Sequence, residues 1–146
     1  AKEISKVAYY MKDVEVVAVY GGEAIDKQIY ALKKRPQIVV ATPGRLMDHI
    51  ERRTIRLNDV KTVVLDEADE MLNMGFVEDI TSILSYVPEE RQTMLFSATI
   101  SKEIEKIASD FLTNPTSIRI NKNQLTVEAI TQKYIDEEIS RIVEER

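Results

Sequence analysis

Asp66, Glu67 and Asp69 set three carboxylates within four positions, directly after the apolar, mostly β-branched run Thr62-Val63-Val64-Leu65. An acidic pair in such a place can hold the water shell of a Mg²⁺ ion and aim a second water at a phosphate. The run predicts a strand buried on both faces of a parallel sheet. Open α/β sheets bind their ligands at the carboxyl ends of such strands. A plainer reading competes: in a chain that is 31% charged, acidic residues after a strand often only favour the positive end of a helix. On the pair alone that plainer reading is the better one.

The elements that would position these residues follow from periodicity. Ile4, Val7, Ala8 and Met11 fall at helical spacing, and Val14 to Tyr20 reads as a strand stopped by Gly21-Gly22. A helix is predicted over about Ala24 to Lys34, followed by the short strand Ile38-Val39-Val40-Ala41. Thr42 and Pro43 then give helix-start signals for a segment carrying Leu46, Met47 and Ile50. After the central strand come a short helix through Met71-Leu72, ended by Gly75, and a longer one with Ile80, Ile83, Leu84 and Val87 on one face. Gln92 to Phe96 reads as a strand leading into Ser97-Ala98-Thr99, and Ser101 opens a helix with a partial capping signature. Ser117 to Ile120 is predicted as a last strand of the sheet, and Ile130 to Ile135 as a weaker one. The alternation argues a parallel sheet covered by helices on both faces.

The 146 residues suffice for one domain with a substantial core, and 44% are apolar. With no cysteine, neither disulfides nor thiolate metal sites can form. No apolar run approaches membrane-spanning length, so a soluble, cytoplasmic protein is expected. A net charge of −5 and a pI near 5.0 give no bulk support to polyanion binding. A local patch and helix N-termini would have to supply it. Lys33-Lys34-Arg35 and Arg52-Arg53 end predicted helices, where cations favour the dipole for structural reasons. His49, the single histidine, has no partners at metal-ligand spacing and is expected to be structural or solvated. Met71 and Met74 are expected to pack under the acidic loop.

Four small motifs thus stand at the ends of predicted strands: Gly21-Gly22, Thr42-Pro43-Gly44-Arg45, Asp66-Glu67-Ala68-Asp69 and Ser97-Ala98-Thr99. Chance easily supplies one of them, but not all four in this order. With the run Val64 to Leu72 and the following Gly75-Phe76, the chain resembles the DEAD-box family of ATP-dependent RNA helicases, from its first helix to about Ile135.

The resemblance implies an α/β fold of RecA-like, P-loop NTPase type, incomplete at its N-terminus. Residues 1–135 would form part of the first RecA-like domain, and 136–146 a charged tail or linker. It implies ATP and Mg²⁺ as cofactors and RNA and a second RecA-like domain as partners. Asp66 is the implied Mg²⁺ residue, acting through water, and Glu67 orients the attacking water. Asp69 with Ser97, Ala98 and Thr99 is the implied link between nucleotide and RNA. Considered alone, Ser97 and Thr99 read better as helix-capping residues. Gly21, Gly22, Thr42, Pro43, Gly44 and Arg45 correspond to RNA-contacting elements. Their physical case is close backbone approach to phosphate and a helix N-terminus, a mode with little sequence preference. Arg45 could donate to a phosphate or brace the loop against an acidic neighbour.

No phosphate cradle GxxxxGK[ST] occurs in the sequence, and the second helicase domain is missing. The expectation is a fragment whose parent is an RNA-dependent ATPase and which is itself inactive. Two other readings are a stand-alone RNA- or protein-binding module and half of a DNA-directed superfamily 2 helicase. Salt-dependent RNA titration separates the first, and RNA–DNA competition the second.

Overall fold

The computed structural model describes residues 1–120. By its internal contacts the chain divides into two compact units, Ala1–Pro115 and Thr116–Arg146. The first carries every element discussed below. It runs α1 (Lys2–Ala8), β1 (Val16–Val19), α2 (Ile25–Leu32), β2 (Ile38–Ala41), α3 (Pro43–Glu51), β3 (Thr62–Leu65), α4 (Ala68–Asn73), α5 (Val77–Ser85), β4 (Gln92–Leu95) and α6 (Lys102–Phe111). The expected strand at Ile130 to Ile135 and the domain boundary after it lie outside the described residues.

Among the described residues all pairing is parallel, as the alternation requires: β1 lies beside β2 with Val19 opposite Ala41, and β3 beside β4 with Leu65 opposite Leu95. Instead of the one continuous sheet expected, the described strands form two two-stranded ones. Within each pair the carboxyl ends lie together. Gly21-Gly22 and Thr42 to Arg45 therefore leave one pair at a common end, and Asp66 to Asp69 and Ser97 to Thr99 leave the other likewise. Helix α2 packs on β1, α3 on α5, and α4 on α6.

The main core gathers Leu65, Ile80, Leu84, Val87 and Ile107, with Val63, Met71, Leu72, Phe76, Leu95 and Phe111 packed against it. It covers one face of β3. The opposite face is open, for Val64 is 50% exposed, so the expected burial of this strand on both faces is not met among the described residues. Met71 packs against this core, but Met74, expected to pack under the acidic loop, points away at 68% exposure. Its place at the end of α4, just before the turn at Gly75 (φ +80°), carries it off the core face. Ser117 to Ile120 form no strand. Ile118 and Ile120 are exposed, and a lone apolar–polar alternation has no neighbour among the described residues to pair with. No described helix is long and apolar enough to cross a membrane.

Candidate functional site

The acidic loop is shaped by its backbone. β3 stops at Leu65, whose carbonyl accepts from Phe96 N–H at 2.8 Å. Ala68 N–H then donates to the Phe96 carbonyl at 3.0 Å, so the ladder is carried one step past both strands. Glu67, between these bonds, is left-handed at φ 53°, ψ 46° and forms the N-cap of α4. A β-carbon in that region costs about 1–3 kcal/mol, and the periodicity of the sequence carries no sign of it. Asp66 Oδ1 accepts from Glu67 N–H at 3.0 Å, which fixes the aspartate against the turn. Both carboxylates remain exposed.

Asp69, in the first turn of α4, faces the segment after β4. Its Oδ2 accepts from Thr99 N–H and from the Thr99 hydroxyl, each at 2.9 Å. Desolvation, the largest single influence, would raise the Asp69 carboxyl, but hydrogen bonds led by the Thr99 side chain and backbone together hold the group below its ordinary value. Ser97 lies near enough to add to this. Its one hydroxyl hydrogen, however, is committed to the Thr99 carbonyl at 2.6 Å, so the two Thr99 bonds lead the effect. The helix-cap reading of Ser97 and Thr99 is excluded, because Ser101 fills that place and accepts from Ile104 N–H at 3.3 Å.

On the other strand pair, Thr42 is the N-cap of α3 with Pro43 at its start, as the sequence predicts. The threonine side chain makes no capping hydrogen bond, however. The first helical bond runs from Leu46 N–H to the Thr42 carbonyl at 3.1 Å, leaving the Gly44 and Arg45 amides ahead of the helical ladder. Gly22 sits at φ +85°, a conformation that requires glycine in this turn. Gly44 differs: its φ is ordinary for a helix, and a β-carbon there would meet nothing within 4 Å.

Arg45 turns inward. Its Nη1 donates to the Glu23 backbone carbonyl at 3.0 Å and to Gln28 Oε1 at 3.1 Å. Of the two roles left open for it, it takes the bracing one, holding the loop after Gly21-Gly22 through a carbonyl and an amide and not through an acidic side chain. His49 is fully buried and Gln28 is 2% exposed, so the histidine is structural. His49 Nε2 meets Gln28 Oε1 at 3.0 Å, and Nδ1 meets Thr54 Oγ1 at 2.8 Å. Sequence reasoning missed Gln28. It sits three positions after Ile25 and four before Leu32, on the helix's apolar stripe, and a polar residue there was the available signal.

Among the described residues no cluster of three acidic or imidazole groups could grip a metal unaided. Exposed Asp66 and Glu67 are hard-oxygen donors of the kind that hold Mg²⁺ through water, with phosphate completing its shell. The residues present fit that ion.

Parallel β–α units with an acidic turn, a hydroxyl clasp and glycine loops at strand ends define the helicase class of RecA-like folds. The family model for the DEAD/DEAH box helicase matches residues 1–107, and the chain belongs to that family. It is 58% identical over 125 residues to the DEAD-box ATP-dependent RNA helicase CshA of Bacillus subtilis, covering 86% of this chain and 25% of that protein. It is 52% identical over 136 residues to CshA of Geobacillus kaustophilus, covering 93% and 29%. Among solved structures, a hypothetical ATP-dependent RNA helicase from Sulfolobus tokodaii aligns at TM-score 0.72 and 45% identity, covering 78% of this chain and 34% of that one. A DEAD box protein from Methanococcus jannaschii aligns at 0.69 and 43%, covering 78% and 33%. The chain thus spans about a quarter of the length of the curated relatives it matches.

Proposed function

We propose that this chain supplies the acidic and part of the RNA-facing machinery of an RNA-dependent ATPase that unwinds short duplexes. Bound Mg·ATP would bring the phosphoryl group and the charge that phosphoryl transfer needs neutralised. Asp66 would hold the metal's water shell, and Glu67 would orient the attacking water. Gly21, Gly22 and Thr42 to Gly44 would receive RNA backbone, with the free amides at the start of α3 as donors. Arg45 would hold those loops in place.

The observation that carries this reading is the Asp69–Thr99 clasp. It joins the turn that would meet nucleotide to the segment after β4. The chain alone, lacking a GxxxxGK[ST] cradle, is proposed to be inactive in hydrolysis.

The test measures phosphate release from ATP by the full-length protein, with and without single-stranded RNA, beside the isolated chain. The full-length protein should respond to RNA, and Glu67→Gln should lower its rate by at least about 10²-fold. The isolated chain should stay at background. Hydrolysis indifferent to RNA, or turnover by the isolated chain, would refute the corresponding half of the reading.

A further inference from the structure

The Gln28 amide is a group in which bonds from the glycine loop and from helix α3 converge, beside the direct bond of Arg45 Nη1 to the Glu23 carbonyl. Its Nε2 donates to the Tyr20 carbonyl at 2.9 Å, just before Gly21, and approaches Glu23 Oε2 at 3.4 Å. Its Oε1 receives Arg45 Nη1 and His49 Nε2, both from α3. The orientation follows from chemistry: a guanidinium only donates, so the amide atom facing Arg45 must be oxygen. The histidine nitrogen facing the same oxygen must then carry a hydrogen. Since burial favours the neutral ring, Nδ1 is the acceptor and takes the Thr54 hydroxyl.

We propose that Gln28, with its acceptor side held by His49 and Arg45, is a positioning residue for RNA. Its role is to set the spacing between the Gly21-Gly22 loop and the amides that open α3. This rests on the RNA reading above. A phosphate backbone has a fixed repeat, so two sets of N–H donors grip neighbouring phosphates only at one separation. The loop itself is not stiff, since glycine at Gly22 has the most conformational freedom to lose, and beside the Gln28 amide it is tied to α3 by the Arg45 bond to the Glu23 carbonyl. The amide, itself 2% exposed, spans both sides through one buried bond to His49 and part-buried bonds to Arg45 and Tyr20. No buried side-chain polar atom among the described residues is left unpaired, an arrangement that favours one geometry. Gln28 itself, at the bottom of the network, would touch no RNA.

The test uses the full-length protein, a fluorescein-labelled oligouridylate and a non-hydrolysable ATP analogue, at a temperature where each variant is folded by circular dichroism. Gln28→Leu removes both arms and should weaken RNA binding about tenfold while leaving the half-saturating ATP concentration in place. In a background carrying Gly22→Ala, whose loop is already strained, the same substitution should cost much less. That non-additivity marks action through the loop, which a loss of general stability would not produce. Gln28→Glu, nearly equal in size, keeps the acceptors for Arg45 and His49 and loses the donor to Tyr20; it serves if the leucine variant does not fold, and should also weaken RNA.

Affinity within about twofold of wild type in the folded variants, or effects that simply add, would overturn the proposal. Absence of RNA binding by the unsubstituted protein would overturn the RNA reading itself, and this inference with it.

Discussion

Thr99 meets Asp69 with two donors at once, its backbone N–H and its hydroxyl each 2.9 Å from the same carboxylate oxygen. The pair spans 30 positions of sequence and closes the gap between the ends of β3 and β4. Both bonds favour the charged form, which is why the group titrates low.

Thr99→Val removes the hydroxyl and leaves the amide. The Asp69 pKa should then rise part of the way toward the ordinary aspartate value, read by carboxyl-carbon NMR titration. A group whose pKa is depressed on folding contributes stability above its unfolded pKa and loses it as pH falls through the folded one. The clasp should therefore hold at neutral pH and open only in acid. No change in the titration on substitution would show that the hydroxyl bond does not hold in solution.

Gly44 has neither a positive φ nor a neighbour where its β-carbon would go. Alanine at this helical position should stabilise the fold by about 0.5–1 kcal/mol, seen as a higher melting temperature. RNA affinity of the full-length protein should fall, because the added methyl stands where backbone would approach. Unchanged affinity would remove Gly44 from the RNA surface.

Glu67 stores backbone strain at the corner where the acidic loop leaves β3. Glu67→Gly relieves it and should raise stability by up to about 1 kcal/mol, measured by urea unfolding. ATP hydrolysis in the full-length protein should be lost. A less stable glycine variant would mean that the carboxylate holds the turn through bonds other than those described.

His49 is held neutral chiefly by burial, with Arg45 and Arg52 opposing its charge more weakly and Asp48 favouring it. Glu23 is the other acid near this network. A histidine whose pKa falls on folding makes the unfolded chain bind more protons, so stability should drop on going from about pH 7.5 to about pH 5.5. His49→Gln should flatten that dependence in melting curves. An equally steep drop in the variant would assign it to other groups.

The sequence was most informative where local signals agreed with packing. The apolar runs marked β1 to β4 to within a few residues, and Thr42-Pro43 marked the start of α3. Long-range pairing was less legible. Ser117 to Ile120 alternates like a strand, but alternation cannot say whether a neighbour exists to pair with. Val64 is as apolar as a doubly buried residue, yet half its surface is open, because residue type reports what could be covered and not what is. At the site, the acidic and hydroxyl motifs were visible as residue types. Their bonding was not, since Asp69 and Thr99 meet only after two strands align. The direction of Arg45 was open for the same reason: its partner Gln28 lies on another helix.

The Thr54 hydroxyl lies 2.8 Å from the His49 ring and 3.1 Å from the His49 carbonyl, and it can turn from one to the other. When acid adds a hydrogen to Nδ1, the ring becomes a donor, the hydroxyl swings to the carbonyl, and each heavy atom can keep its place. Crystals grown in acid and at neutrality would then superimpose here to the eye of X-rays. Only neutrons, which scatter from deuterium, would reveal which charge state had been caught.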